Sequence, residues 1–186
     1  APTDNDMYQQ QAWREAGYDR LWTTLTDCTA QARSDCFEIT VAVDLTPQAL
    51  SGLFSGRLRY RFTRNGEIEL RASLWPQRGE LPFLPRFGLL FQMEPAYSKV
   101  SWYGRGPHES YPDCYDSAAI GLYQSDAGAM LPYCIRPQEC GNRSQTRWMC
   151  VTDEKGRGVC LSSDTPFHFH VSPYTIEQIE RAKHAD

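Results

Sequence analysis

The feature that most constrains the fold is a pair of alternating segments on either side of Asn65-Gly66. Apolar residues occupy every second position, with arginine and glutamate between them: Leu58, Tyr60 and Phe62 before the dipeptide, and Ile68, Leu70 and Ala72 after it. A period of two is typical of a half-buried strand. Asn-Gly suits a type I′ turn, in which both central residues have positive φ. These residues therefore predict a β-hairpin with one apolar face and one solvated, charged face.

The same period recurs from Cys36, where Phe37, Ile39, Val41 and Val43 alternate with more polar neighbours. Further apolar runs predict short strands at 87–93, 99–103, 147–151, 158–162 and 167–171. About six to nine short strands joined by polar turns favour an all-β fold. We therefore expect an antiparallel β-sandwich.

Two short helices are predicted near the ends of the chain. Residues 8–17 have helical periodicity, and Gly17 fits a C-terminal stop. Residues 175–178 form a capping box that opens a second helix through Lys183. Residues 21–22 are expected to extend or follow the first helix.

Length and charge restrict the classes of partner. The 186 residues suit a single domain spanning 1–186, and a 41% hydrophobic content is enough for a core. Lysine and arginine total 19 against 23 aspartates and glutamates, so the net charge is -4. Such a chain, without a basic run, favours neither nucleic acid nor an anionic membrane. No apolar run approaches the roughly 20 residues of a membrane span.

Cysteine and histidine patterns predict no metal site and no other cofactor in this chain. The odd number of cysteines, seven, and the lack of a C-x-x-C motif argue against a zinc site or a redox pair. We expect most of them to be buried small apolar residues. His168 and His170 would share a strand face, but a metal needs a third ligand. Cytoplasm is the expected compartment, and the periplasm is the alternative because the thiol count is high.

A first run of glycine, proline, aromatic and charged residues begins at Trp102 and includes Glu109 and Tyr111. Aromatic rings can stack on the apolar faces of sugars, and carboxylates can bind sugar hydroxyls. These three residues are therefore candidates for sugar or interdomain contact. The alternative, which we favour, is a cluster that braces a loop, with glycine and proline shaping the turn.

A second run contains Glu139, Arg143 and Arg147. In an extended segment the odd-numbered positions share one face, which would place these three side chains next to one another. Guanidinium groups bind carboxylates and hydroxyls through forked donors. The three residues are thus candidates for sugar or interdomain contact, although a network that braces the sheet is favoured. No catalytic residue is predicted.

Several ordered stretches of the chain resemble one family. They are Ala1-Pro2-Thr3-Asp4-Asn5-Asp6, Trp13 with Ala16-Gly17, Leu84-Pro85-Arg86-Phe87-Gly88, Trp102-Tyr103-Gly104-x-Gly106-Pro107-x-Glu109-x-Tyr111-Pro112-Asp113, Tyr133-x-x-x-Pro137-Gln138-Glu139-x-Gly141-x-Arg143-x-x-x-Arg147 and Phe167-x-Phe169-x-Val171-Ser172-x-Tyr174. In order and spacing they resemble the C-terminal β-sandwich, domain 5, of glycoside hydrolase family 2 β-galactosidases, including its small-chain form. The resemblance implies a galactose-mutarotase-like supersandwich, truncated to about its first two-thirds because the family's domain continues beyond the second helix.

The resemblance also implies a function. In that family the two glutamates that cleave the glycosidic bond lie on a separate (β/α)8 barrel, so this domain would be non-catalytic. The parent enzyme would hydrolyse terminal non-reducing β-D-galactose residues, with this domain buttressing the barrel and the assembly. The family often uses Mg and Na ions in the barrel. Expected partners are the barrel domain, a galactoside and a second copy of the chain.

Two other functions stay open. One is a free-standing carbohydrate-binding sandwich module without hydrolase activity. The other is a mutarotase-like enzyme, which needs a histidine acid and a glutamate base facing the anomeric carbon of a sugar. None of the four histidines lies in a pattern typical of that chemistry, so the mutarotase is the weakest of the three.

Overall fold

The computed structural model describes residues 7–48, 52–132, 134 and 137–182. Within these ranges the protein consists of eight antiparallel strands and two short α-helices. The chain divides into two compact units, Pro2–Gly88 and Leu89–Asp186, and each contains one four-stranded sheet. The predicted class, all-β with two short helices, is confirmed and is consistent with a β-sandwich. The single domain boundary stays a prediction.

The first unit contains one helix and four strands that pair in chain order. They are α1 (Met7–Ala16), β1 (Leu21–Ala32), β2 (Cys36–Pro47), β3 (Phe54–Thr63) and β4 (Ile68–Pro76). Gly17 ends α1 as predicted, with φ 84 and an N–H that donates to the Arg14 carbonyl at 3.0 Å. Side chains then hold the helix region to the segment after β4, because Trp13 Nε1 donates to the Phe83 carbonyl at 3.0 Å.

The faces of the first sheet follow the predicted alternation. Tyr60 pairs with Ile39 on one side and Leu70 on the other, so apolar side chains line up across three strands. On the opposite face Arg61 binds Asp35 at 2.6 Å. The charged face is a solvated sheet surface, and its exposed ion pairs are each worth little.

The turn between β3 and β4 differs from the prediction in type. Gly66 has φ 88, but Asn65 is absent from the described non-glycine residues with positive φ, so the turn is not type I′. The Thr63 N–H donates to the Glu67 carbonyl at 2.9 Å and closes a loop of three residues. A three-residue loop places one glycine in the left-handed conformation at its end. The hairpin prediction is confirmed, while the turn type is wrong.

The second unit contains four strands and the second helix. They are β5 (Lys99–Gly106), β6 (Ala119–Asp126), β7 (Arg143–Thr152), β8 (Gly158–Phe169) and α2 (Ile176–Arg181). The order across the sheet is β6-β5-β7-β8. The predicted capping box is present at α2: Thr175 Oγ1 accepts from the Gln178 N–H at 3.2 Å, and Gln178 Oε1 accepts from the Thr175 N–H at 2.8 Å. The helix ends at Arg181 and Ala182 is extended, with φ -67 and ψ 134, so the helix is shorter than the predicted one, which continued through Lys183. The motif at residues 1–6 lies outside the described residues.

One face of the second sheet carries a buried apolar cluster. Its members come from alternate strand positions and from the 3-10 helix Ala127–Met130: Val100, Trp102, Ala127, Met130, Met149 and Phe169. Trp102 is the largest fully buried side chain, with 1% of its surface exposed. Burial of aromatic area on this scale contributes most to the stability of a small core.

Strand β7 is irregular near its start. Its register against β8 shifts between Arg143 and Thr146 and again between Thr146 and Trp148. Gln145 lies inside this irregularity with φ 49, an uncommon conformation for a residue with a side chain. Such bulges insert extra residues and change which face the following side chains occupy.

Three strand predictions need correction. Residues 158–162 and 167–171, expected as two strands, belong largely to the single strand β8. Residues 87–93 form no strand, and Leu90 and Phe91 there are 83% and 59% exposed. Strands β1 and β6 were not predicted. Most β1 residues are exposed, and small residues interrupt β6, so neither sequence shows a clean alternation of apolar and polar side chains.

The cysteine prediction is also wrong. Cys150 and Cys160 form a disulfide between β7 and β8, with their Cα atoms 4.0 Å apart. Of the described free cysteines, Cys36 is the one that is buried, and Cys28 and Cys114 are exposed. The disulfide arises from strand register, which pairs these two positions directly, rather than from a recognisable sequence spacing.

Candidate functional site

The predicted site residues gather where β5 ends and β7 begins. Two loops meet there, residues 107–118 after β5 and residues 137–142 before β7. We call the side chains that join these loops to the strands the bracing cluster: Trp102, Arg105, Glu109, Ser110, Tyr111, Asn142, Arg143 and Ser144. All of them lie within the second unit.

Trp102 forms the floor of the bracing cluster. Its ring contacts those of Tyr123 and Phe169, at centroid distances of 5.4 and 5.8 Å. The Arg143 guanidinium lies 5.4 Å from the Trp102 ring centroid. The indole Nε1 donates to the Arg105 carbonyl at 3.0 Å. Because its ring and its polar atom are both occupied within the protein, Trp102 is a core residue here.

Arg143 is the most buried charge of the bracing cluster, with 4% of its surface exposed. Its Nη1 donates to the Gly141 carbonyl at 2.8 Å, while its Nε has no hydrogen-bond partner among the described residues. Burial lowers the pKa of Arg143, and the nearby Glu109 and Tyr111 oppose that effect. The cation–π contact with Trp102 compensates part of the cost of burial.

Glu109 and Tyr111 connect the first loop to the second. A Glu109 carboxylate oxygen accepts from the Gly141 N–H at 2.7 Å, a charge-assisted bond. The Asn142 N–H donates to the Tyr111 hydroxyl at 3.5 Å, a long contact. Burial of the phenol raises the pKa of Tyr111 to about 12. Gly141 is required at its position because its φ is 87.

Three polar residues that were not singled out in the sequence reinforce this connection. Ser110 and Ser144 are 1% and 0% exposed, and their hydroxyl oxygens are 2.7 Å apart. The Ser144 N–H donates to Ser110 Oγ at 3.0 Å. Asn142 Nδ2 donates to the Ser110 carbonyl at 2.6 Å. The sequence signals for these residues were their position beside the motif residues and, for Asn142 and Ser144, a match to the short glycosylation sequon Asn-x-Ser.

Arg105 was also missed, and it shapes the first loop from inside. Its Nη1 donates to the carbonyls of Ala118 and Tyr115, at 2.7 and 3.1 Å. Its Nε donates to Gln145 Oε1 at 2.9 Å. The Tyr115 ring lies 4.7 Å from the guanidinium carbon. The sequence feature that could have indicated Arg105 is its position between Gly104 and Gly106 in β5.

Arg143 and Arg147 are not neighbours on one face, which corrects the sequence prediction. Arg143 lies over Trp102, whereas Arg147 lies 5.6 Å from the ring centroid of Tyr103. Trp102 and Tyr103 are consecutive in β5 and point to opposite faces of the sheet. Glu139 is exposed and precedes β7. The irregularity at the start of β7 breaks the alternation on which the prediction depended.

Metal ligands and membrane spans were also considered in the sequence. No group of three or more His, Cys, Asp or Glu side chains in the described part of the chain could hold a metal ion. His168 Nδ1 is 3.3 Å from Asn142 Nδ2, so this histidine extends the hydrogen bonds around the second loop. None of the helices in the described ranges has the length and apolar character needed to cross a membrane.

Chemically, the bracing cluster directs its donors and acceptors at its own backbone. The Glu109 carboxylate binds the Gly141 N–H, and the arginines bind carbonyls of the same loops. Buried polar networks of this kind rigidify the segments that they join. The arrangement is therefore suited to holding two loops in a fixed conformation.

A family model described as "Beta galactosidase small chain" matches residues 1–186. Among curated proteins, the chain is 32% identical over 184 residues to the β-galactosidase of Actinobacillus pleuropneumoniae, covering 99% of this chain and 18% of that protein. It is 31% identical over 189 residues to the β-galactosidase of Priestia megaterium, covering 99% and 18%. It is 34% identical over 191 residues to that of Lactobacillus delbrueckii subsp. bulgaricus, covering 100% and 18%. The chain thus spans less than a fifth of the length of these relatives.

Proposed function

Because this chain belongs to the β-galactosidase small chain family, we propose that it is a non-catalytic domain of a β-galactosidase. The family resemblance carried by the sequence motifs is confirmed by this match. The proposed parent enzyme hydrolyses terminal non-reducing β-D-galactose residues. Since the chain spans 18% of its relatives, the two catalytic carboxylates are proposed to lie outside it, on a barrel domain.

The observation that carries this proposal is the inward direction of the bracing cluster. The Glu109 carboxylate accepts a hydrogen bond from a backbone N–H. Arg143 is almost completely buried, and its guanidinium donates to a backbone carbonyl. A retaining glycosidase instead needs two carboxyl groups about 5–5.5 Å apart, open to the glycosidic bond. The cluster supports a role in fixing loop shape, and the exposed Glu139 beside it supports a contact surface for the barrel domain.

A carbohydrate-binding module is the second candidate, and one feature favours it. Tyr103 is 38% exposed, and the Arg147 guanidinium lies beside its ring. A partly open ring next to guanidinium donors could stack on a sugar and bind its hydroxyls. In this candidate the sugar lies on the Tyr103 face, away from Trp102.

The compartment and the metal ions are also proposals. A disulfide between Cys150 and Cys160 supports an oxidising compartment, so we favour the periplasm over the cytoplasm expected from the sequence. The Mg and Na ions implied by the family resemblance are assigned to the proposed barrel domain. The chain itself is proposed to bind neither ion.

Reconstitution tests the proposed function. The purified chain, the remaining polypeptide of its natural gene product, and an equimolar mixture are each assayed with a nitrophenyl-β-galactoside. We expect the chain alone to be inactive and the mixture to be more active than the remaining polypeptide. Turnover by the chain alone would refute the non-catalytic assignment.

Calorimetric titration of the chain with galactose and lactose separates the second candidate from the first. We expect no saturable heat if the chain acts only through the barrel domain. Saturable binding that is lost in Tyr103→Ala, but kept in Tyr123→Phe, would instead support a carbohydrate-binding module. Tyr123 is a suitable control because its ring packs against Trp102 on the other face of the sheet.

A further inference from the structure

The charged face of the first sheet concentrates arginine in a chain whose net charge is -4. Arg57, Arg59 and Arg61 alternate along β3, so their side chains share one face of the sheet. Arg71 lies directly opposite Arg59 in β4. We call Arg57, Arg59, Arg71 and the neighbouring Trp75 the arginine patch. It belongs to the first unit, whereas the bracing cluster belongs to the second.

The ion pairs on this face leave the middle of the arginine patch without a carboxylate. Glu69 lies between Arg71 and Arg61, at 2.8 and 3.5 Å. In the part of the chain that the structure describes, neither Arg57 nor Arg59 forms an ion pair. Two guanidinium groups in the middle of the sheet face therefore have donors left for a ligand.

Arg59 and Arg71 are a like-charged pair across neighbouring strands. Side chains directly opposite each other have Cβ atoms about 4.5–5.5 Å apart, and like charges in this position destabilise a sheet. Both arginines are exposed, so solvent weakens their repulsion. A carboxylate between the two guanidinium groups would accept hydrogen bonds from both and neutralise one of the charges. The pair is thus suited to binding a carboxylate.

An exposed indole ring extends the arginine patch along the strands. Trp75 is 47% exposed, and the Arg57 guanidinium carbon lies 5.9 Å from its ring centroid. Asp44 is on the same face, where it accepts from Ser55 Oγ at 2.6 Å. Four residues of β4 separate Trp75 from Arg71, which corresponds to about 13 Å along a strand. The patch is therefore longer than a single sugar ring.

We propose that the arginine patch binds an oligosaccharide that carries carboxylate groups, as a chain of uronic acid residues does. Trp75 stacks on one sugar ring, while Arg59 and Arg71 bind a carboxylate of another. The choice of a saccharide rests on the proposed function, in which the parent enzyme acts on galactosides. An acidic polypeptide would use the guanidinium groups alone, because its carboxylate side chains have no ring that stacks on Trp75.

Calorimetric titration of the purified chain with tetragalacturonate tests the proposal. The methyl ester of this compound has the same sugar rings without the charges and serves as the control ligand. We expect saturable binding of tetragalacturonate that weakens as salt is added, because salt screens exposed charges. The ester should show no saturable heat.

Three variants test which residues form the site. Arg59→Gln should weaken binding about tenfold, because it removes a hydrogen bond between charged groups. Arg64→Gln removes the same charge from the exposed turn after β3 and should leave the affinity unchanged. Trp75→Ala should also weaken binding. In urea unfolding, Arg59→Gln should not be less stable than the parent, because it relieves the repulsion with Arg71, whereas a structural role for Arg59 would make the variant less stable.

The proposal is overturned if tetragalacturonate does not bind, if the ester binds equally well, or if Arg64→Gln weakens binding as much as Arg59→Gln. It is also overturned if polyglutamate binds as tightly as tetragalacturonate and keeps its affinity in Trp75→Ala, since the patch would then bind an acidic polypeptide. The proposed function is tested by the activity of the reconstituted mixture, so its failure is distinguishable from failure of this site.

Discussion

Replacement of Gly104 by alanine tests how closely β5 and β7 approach beneath the bracing cluster. A Cβ atom on Gly104 would lie 2.7 Å from Thr146 Oγ1 and 2.8 Å from Thr146 Cα. The hydroxyl belongs to a side chain, but the Cα is backbone held within the sheet. Thr146 is 0% exposed, so there is no open space into which it can move.

The expected cost follows from these two short distances. Adding a methyl group to a packed core costs about 1–3 kcal/mol, and a backbone clash belongs in the upper part of that range. Alanine also restricts the unfolded chain, which stabilises the folded state by about 0.4–1 kcal/mol. We therefore expect Gly104→Ala to lower the free energy of unfolding by about 1–2 kcal/mol.

Urea unfolding followed by tryptophan fluorescence measures this change. Gly128→Ala is the matched control in the same unit, because a Cβ there meets nothing within 4 Å, and it should stay within about 0.5 kcal/mol of the parent. Thr146→Ala in the Gly104→Ala background should restore only part of the loss, since the clash with the backbone of residue 146 remains. If Gly104→Ala matches Gly128→Ala, the argument from close approach is refuted.

Three further predictions concern the same unit. Glu109→Ala should cost about 1–3 kcal/mol in chemical denaturation, because the buried Gly141 N–H loses its acceptor. Glu109→Gln keeps an oxygen that can accept this bond and should lower the free energy of unfolding by less. Equal losses for the two variants would show that the missing acceptor is not the cause. Cys150→Ser with Cys160→Ser should lower the free energy of unfolding by about 2–4 kcal/mol relative to the oxidised chain, and not relative to the reduced chain. The folded-state pKa of Tyr111 is raised to about 12 from 10.0, so its contribution to stability is full below pH 10.0 and is lost as pH rises towards 12. The melting temperature of Tyr111→Phe should therefore fall less than that of the parent chain over this pH range. An equal fall in both proteins would contradict a raised pKa for Tyr111.

Local signals in the sequence were sufficient where one rule governs the structure. The alternation around Asn65-Gly66, the stop at Gly17 and the capping box at Thr175 all depend on neighbouring residues, and each element is present. The turn type was wrong because the length of the loop, not its Asn-Gly dipeptide, determined which residue has positive φ.

Features that depend on pairing between distant segments could not be predicted in this way. The Cys150–Cys160 disulfide follows from the register of β7 against β8. The opposite placement of Arg143 and Arg147 follows from a bulge that no local pattern marks. The motif residues were singled out from the sequence, but the serines and the arginine that join them were not, because single buried polar residues have no distinctive spacing.

The exposed apolar side chains at residues 87–93 affect how much of the newly made chain survives in a cell. This segment lies outside any strand and is rich in exposed leucine and phenylalanine side chains. Short apolar stretches of this kind are aggregation-prone and depend on chaperones until they are covered. If the chain folds apart from the rest of its proposed enzyme, its abundance will depend on how quickly it meets that partner, in competition with degradation. Substitutions at these positions would then change the amount of chain that escapes degradation. An activity assay of the assembled enzyme would not detect that change.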